Sequence, residues 1–250
     1  MPISAHSPSP TAAAPPTYLL SGATSDIGEA IACRLADSGR SVLALGRDRE
    51  RLRALQLRCQ DRVQIHPLDL TDDRALLGLA QGLPQKLAGA PLAGLIHCAG
   101  VYHAGRVESA PLAQLDRMYE ANVRAPYRLT QLLLPALTRG AGRVIFINST
   151  AGLHGRAALS GYCASQHSLR VLADSLRAEV NAHGVLVTSI YLGRTATRRM
   201  QGIFRSEQRD YRSELLLQPD DVADTVLYVL SLPPRAEVVD LTIRPALKSY

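Results

Sequence analysis

With 250 residues, 46% of them hydrophobic, the chain can bury one sizeable core, and the pattern described below uses nearly all of it. The net charge of +6 comes mostly from arginines spread through amphipathic stretches, with no lysine/arginine block. That pattern suits a solvated basic surface or a small anionic ligand, and it argues against nucleic-acid and membrane partners.

The first sixteen residues, MPISAHSPSPTAAAPP, have no apolar periodicity and are expected to be a disordered tail ahead of a domain over 17–250. They lack the basic start and apolar core of a signal peptide. TYLLSGA is a predicted buried strand, and IGEAIACRLADSG a helix closed by Gly39. SVLALG is the second strand, followed by the helix DRERLRALQLR with Asp48 as its cap. RVQIHPLDL is the third strand, and a helix over roughly 71–88 is favoured at its start by Asp72 and Asp73. LAGLIHCAG is the fourth strand, a long helix spans roughly 112–138, and RVIFINS is the fifth strand. A helix over 160–182, the strand VLVTSIYLG, a polar segment over 194–214, the helix PDDVADTVLYVLSL and the strand VVDLTIRP complete the chain. Continuous apolar strands alternating with helices predict an α/β fold, a doubly wound parallel sheet in three layers and one domain.

No run approaches the roughly 18 consecutive apolar residues that span a bilayer. Cys33, Cys59, Cys98 and Cys163 show neither close pairing nor metal-ligand spacing. They are expected to be reduced, mostly buried thiols of a cytoplasmic protein, with no metal site.

The segment SGATSDIGEAI joins the first strand to the first helix. Gly22 permits a tight turn and Gly28 close packing of helix on sheet, so the amides at the helix start can receive a pyrophosphate. Asp26 stands where a glycine is usual, and its tolerance of a left-handed backbone should preserve the turn. A carboxylate beside phosphates is unfavourable unless it points away. The second strand ends in Gly46-Arg47. An arginine there accommodates a ribose 2′-phosphate, whereas an acid would hold the free hydroxyl, so NADP(H) is favoured over NAD. Asp69, ending the third strand, is placed either to meet an adenine edge or to cap the following turn.

Together these segments resemble the short-chain dehydrogenase/reductase family over roughly residues 18–245. SGATSDIG is similar to the family's glycine motif, HCAG (97–100) to its Asn-Asn-Ala-Gly, and LGRTAT (192–197) to the segment that closes over the nicotinamide. Asn122, Ser149 and Tyr162 match the asparagine, serine and tyrosine of the catalytic set in order and spacing. The resemblance implies that Tyr162 exchanges a proton with the substrate oxygen, Ser149 holds that oxygen and Asn122 anchors a water in the proton path. It also implies cofactor contacts from Thr24, Ser25 and Ile27 in the glycine turn, from Asp69 and Leu70, and from Ala99 and Gly100. Thr197, or Thr195, would hold the carboxamide. A homodimer or homotetramer is implied in the same way, as is a small carbonyl or alcohol substrate.

The lysine expected four residues after the tyrosine is Gln166. Residues 162 and 166 share a helix face, and a glutamine amide can still hold ribose hydroxyls. It brings no charge, however, and moving a phenol from ~10 to ~7 requires roughly 4 kcal/mol, a scale that a unit charge about 4 Å away supplies. Slowed tyrosine catalysis, or oxidation that needs higher pH, is the expectation. NADP binding without redox turnover and a non-redox isomerisation or cyclisation remain alternatives. His167 is rotated away along the helix and is not expected to substitute for the lysine. His154, Tyr102, His103 and Phe204 are candidates for the substrate pocket, and Phe204 with Tyr211 suits either a mobile lid or a helix with core-facing aromatics.

Overall fold

The computed structural model describes residues 15–247. The tail expected over 1–16 therefore lies, apart from Pro15 and Pro16, outside the described residues. The first half of the chain runs β1 (Thr17–Ser21), α1 (Asp26–Asp37), β2 (Ser41–Gly46), α2 (Arg49–Cys59), β3 (Val63–Pro67), α3 (Asp73–Gln81), α4 (Leu83–Leu87) and β4 (Leu92–His97). The second half runs α5 (Leu112–Tyr119), α6 (Ala125–Arg139), β5 (Arg143–Ser149), α7 (Ser160–Val180), β6 (Leu186–Leu192), α8 (Arg198–Ser206), α9 (Pro219–Ser231) and β7 (Asp240–Ile243).

The strands form one seven-stranded parallel sheet in the order β3-β2-β1-β4-β5-β6-β7. Both faces are covered because successive residues of each inner strand supply opposite sides. Tyr18, Leu20, Val42 and Ala44 pack with α1, α2 and α9. Their neighbours Leu19, Leu43 and Leu45 pack with α3, α6 and α7. This is the doubly wound fold expected from the alternation of elements. Strand order reverses between β1 and β4, and the carboxyl ends of those strands are where open α/β sheets bind ligands.

Local chemistry explains where elements start and stop. Ser25, Asp48 and Asp72 cap α1, α2 and α3 through their side chains. Gly39, at φ +81°, turns the chain after α1, and its N–H bonds the Ala36 carbonyl at 2.9 Å. Three expected elements differ in detail. The helix expected over 71–88 is broken at Gly82, because Pro84 has no N–H for the Ala80 carbonyl. The long helix expected over 112–138 is interrupted by a π turn at Glu120–Arg124. The polar segment over 194–214 contains α8. Among the described residues no helix is long and apolar enough to cross a membrane.

Candidate active site

Two joined cavities, of about 360 and 590 Å³, open at the switch point between β1 and β4. Ser25, Cys98, Ala99, Gly100, Val101 and Arg199 line both. The walls come from the loops after β1, β2, β3, β4, β5 and β6, so the parallel sheet gathers six separate loops at one edge.

The turn after β1 closes over β4. Gly22 sits at φ +71°, and a Cβ there would meet the Ala99 amide at 2.6 Å. Gly28 packs so closely under the Gly22 carbonyl that no side chain fits. Gly28 thus serves the packing and does not line either cavity. Ser25 Oγ accepts the Gly28 N–H at 3.0 Å, which leaves the Asp26 and Ile27 amides as the other first-turn donors. Asp26 departs from the expected left-handed residue: it begins α1 in right-handed conformation, and the left-handed position is Gly22. Its carboxylate is occupied. Oδ2 accepts the Arg198 amide at 2.8 Å and Oδ1 pairs with the Arg198 guanidinium at 2.6 Å.

The larger cavity is lined by Gly22, Thr24, Gly46, Arg47, Asp69 and Leu70. Arg47 Nη1 lies 3.8 Å from Asp69 Oδ2. Asp69 Oδ1 accepts from the Thr71 amide and hydroxyl, at 3.0 and 2.8 Å. These bonds, ahead of the Arg47 charge, hold its carboxyl below the usual range. Asp69 therefore caps the turn with one oxygen and presents the other toward Arg47 in the cavity wall.

The smaller cavity brings together Ser149, Tyr162 and Gln166. Ser149 ends β5, where its Oγ accepts the Ala151 N–H at 3.1 Å, leaving its own hydrogen to donate. It stands in hydrogen-bond reach of the Tyr162 phenol and favours the phenolate there. Burial outweighs that bond and the charges of Arg199 and Arg156, so the phenol's pKa lies above its ordinary value. The Gln166 backbone carbonyl accepts from Asn148 Nδ2 at 3.2 Å. Its side chain is buried in the cavity wall. His167 is turned away, its Nδ1 on the Cys163 carbonyl at 2.8 Å.

Asn122, expected to anchor a water in the proton path, is not among the residues that line either cavity. It is buried in the π turn, where its side chain grips Val101 from both sides: Oδ1 accepts the Val101 N–H at 2.7 Å and Nδ2 donates to the Val101 carbonyl at 3.0 Å. Its second amide hydrogen goes to Ser165 Oγ at 3.0 Å. With its side chain spent on these bonds, Asn122 positions the loop after β4 against α7.

Thr195 and Thr197 line the smaller cavity and fasten their own loop. Thr195 donates to the Gly193 carbonyl at 3.2 Å, and Thr197 caps α8 by accepting the Met200 N–H at 3.1 Å. Tyr102 also lines it, its ring edge-on to Tyr162 at 5.0 Å. The other three pocket candidates lie elsewhere. His154 is exposed, and from its loop Arg156 and Leu159 reach the cavity instead. His103 packs toward Gly105. Phe204 is buried between the Arg194 and Arg209 guanidinium groups, 4.7 and 5.1 Å from its ring, and edge-on to Tyr211. These partners all belong to the 194–214 segment, so Phe204 packs that segment together.

The residues missed in the sequence are arginines. Arg51, Arg156, Arg194, Arg198 and Arg199 converge on the smaller cavity from four segments. Arg51 Nη1 donates to the Thr24 carbonyl at 3.1 Å, and Arg199 reaches the Gly100 carbonyl at 2.5 Å. One local signal pointed to them: Arg198 and Arg199 begin α8, where cations oppose the helix dipole. The cysteines also differ from expectation. Cys33 and Cys59 lie together, with their sulfurs 3.0 Å apart. Among the described residues no cluster of three or more His, Cys, Asp or Glu could hold a metal.

Comparison with known proteins places this geometry. The short chain dehydrogenase family model matches residues 17–208. An uncharacterized oxidoreductase of Staphylococcus aureus (strain MW2) is 30% identical over 230 residues, covering 91% of this chain and 96% of that protein. Sulfoacetaldehyde reductase 2 of Chromohalobacter salexigens is 30% identical over 241 residues, 93% of this chain and 95% of the relative. Among solved structures, the closed form of serine dehydrogenase complexed with NADP+ superposes with a TM-score of 0.86 at 28% identity, covering 94% of this chain and 96% of that one. The sheet order, the glycine turn beneath the switch point and the match over most of the length agree: the chain belongs to the short-chain dehydrogenase family.

Proposed function

We propose that this protein is an NADP(H)-dependent oxidoreductase that moves hydride between the nicotinamide and a carbonyl or secondary alcohol, with Tyr162 exchanging the proton. The observation that carries the reading is the Tyr162 phenol beside the Ser149 hydroxyl in a cavity continuous with the one that Arg47 lines. The residues suit the cofactor. Gly22 and Gly28 leave no Cβ in the phosphate turn, and Arg47 offers a guanidinium where a 2′-phosphate would lie. Bound there, the dinucleotide supplies or accepts the hydride.

In reduction, Ser149 donates a hydrogen bond to the substrate oxygen and Tyr162 delivers its proton to that oxygen. Gln166 holds ribose hydroxyls through its amide. Arg156 and Arg199 line the same cavity, and among the described residues neither pairs with a carboxylate. Arg156 donates to the Thr150 hydroxyl and Arg199 to the Gly100 carbonyl, so both charges stay unneutralised. That favours a carbonyl substrate that carries an acidic group, in keeping with the name of the sulfoacetaldehyde reductase relative. A cytoplasmic homo-oligomer remains the expected form of the enzyme.

The test is NADPH consumption with aldehydes and ketones, offered in pairs with and without a carboxylate or sulfonate. Tyr162→Phe should lower turnover by about 10²–10⁴ while NADPH binding persists. Full activity in that variant would falsify the assignment of the proton donor. NADPH binding without consumption, across the whole panel, would overturn the redox reading itself.

A further inference from the structure

Cys33 lies in the middle of α1 and Cys59 is the last residue of α2. The two thiols are 26 residues apart in sequence, yet packing of the helices brings the sulfurs to 3.0 Å, within about an ångström of a disulfide bond length of ~2.05 Å. Both are half-buried. Arg58 donates to Cys33 Sγ from Nε at 3.2 Å and from Nη2 at 2.9 Å. The same guanidinium is held by Glu29 at 2.9 Å. Arg58 thus holds two N–H donors and a positive charge against the Cys33 sulfur. Burial and the neighbouring Cys33 sulfur push the Cys59 thiol up to about 12. Cys98 and Cys163 have no cysteine partner, and burial pushes the Cys98 thiol up to about 11.

We infer that Cys33 and Cys59 form a peroxide-oxidised dithiol in which Cys33 is the attacking sulfur, Cys59 the resolving sulfur and Arg58 the positioning residue. The Cys33 thiolate attacks one peroxide oxygen. The O–O bond breaks, giving a sulfenic acid at Cys33 and hydroxide (or alkoxide), which takes a proton from solvent. The Cys59 sulfur then attacks the Cys33 sulfur. The S–S bond forms, the S–O bond breaks, and the hydroxyl leaves as water with the proton from Cys59. Two thiols lose two electrons in all, and hydrogen peroxide is reduced to two waters. The product is a crosslink between α1, which begins at the glycine turn, and α2, which follows Arg47. It is reversible by dithiols. The site is separate from the cavity that holds Tyr162, so the inference does not depend on the proposed reaction.

The experiment treats the full-length reduced protein with stoichiometric hydrogen peroxide and maps peptides without reduction. The expected result is a Cys33–Cys59 linked peptide, reversed by dithiothreitol, and a higher melting temperature of the crosslinked form. In Cys59→Ser, dimedone should capture a sulfenic acid at Cys33. Arg58→Ala should slow crosslinking about tenfold or more, with Arg58→Lys restoring much of the rate. Oxidation of Cys98 or Cys163 ahead of Cys33 would overturn the inference, as would passage of Cys33 to sulfinic acid without a crosslink. A crosslinking rate unchanged in Arg58→Ala would remove Arg58 from it.

Discussion

The amide of Gln166 stands in the wall beside Tyr162, at the place where a charge would change the titration of the phenol. Burial raises the Tyr162 pKa, and the Ser149 hydrogen bond and the charges of Arg199 and Arg156 do not offset it. At neutral pH the phenol is therefore protonated. In the proposed reaction that is the competent form for reduction, so the reduction rate should stay level through neutral pH and fall only above the ordinary phenol range near ~10. Oxidation needs the phenolate and should climb about tenfold per pH unit through the neutral range. Gln166→Lys places an ammonium on the same helix face. Alcohol oxidation at pH about 7 should then rise about tenfold or more, while carbonyl reduction rises much less. Initial rates in both directions across pH decide the matter. Equal effects on the two directions, or none, would assign Gln166 to ribose binding alone.

At the scale of elements, the site is held by contacts between the ends of helices. The π turn that interrupts α5 and α6 lets Asn122 reach back to Val101, so a helix and a loop behave as one wall. On the opposite side α8 is fastened to the glycine turn. Asp26 accepts the first α8 amide and pairs with the Arg198 side chain. It thus acts as an N-terminal cap supplied from 172 positions away in sequence, and it draws the carboxylate from the phosphate turn. Because Arg198 is about half exposed, screening limits the coupling to about 1 kcal/mol. A double-mutant cycle with Asp26→Ala and Arg198→Ala, read by hydrogen exchange of the α8 amides, should show faster exchange in each single variant. The double variant should add little beyond Asp26→Ala, which already removes the partner of both the residue-198 amide and the Arg198 side chain. Additive effects of the two substitutions would mean that the contact does not hold α8 in solution.

For the whole molecule, what could be read in advance was whatever depends on near neighbours in sequence. Buried runs such as SVLALG and RVIFINS announced strands, and Asp48 and Gly39 marked helix ends, because their causes lie within a turn of the residue. The Ser149 and Tyr162 pairing was legible through fixed spacing on one strand end and one helix. The π turn was not, since Asn122 answers to Val101 across a loop. The burial of Phe204 was one of two open readings, because it depends on Arg194, itself paired with Glu207. The meeting of Cys33 with Cys59 needs the packing of two helices. The convergence of arginines needs four separate segments brought to one sheet edge.

His97 shows the same dependence in the core. As the last residue of β4 it was read only as part of the HCAG segment, yet it is fully buried, stacked on Phe146 at 4.8 Å, with Nε2 2.8 Å from Thr130 Oγ1 on α6. Burial lowers its pKa to about 3, against an unfolded value near 6.5. Between those values the unfolded chain binds a proton that the folded protein refuses, so stability rises with pH across this window. The full contribution is present above about 6.5 and is lost progressively as pH falls toward 3. From pH 7.5 to pH 5 this single group should cost about 2 kcal/mol of unfolding free energy. His66, also lowered by burial, acts in the same direction, so the comparison needs a variant rather than the pH series alone. His97→Gln retains an amide for Thr130 and removes the titration. Urea unfolding of both proteins at the two pH values should show a loss smaller by about 2 kcal/mol in the variant. Equal losses in the two proteins would mean that His97 is reached by solvent and protonates without unfolding.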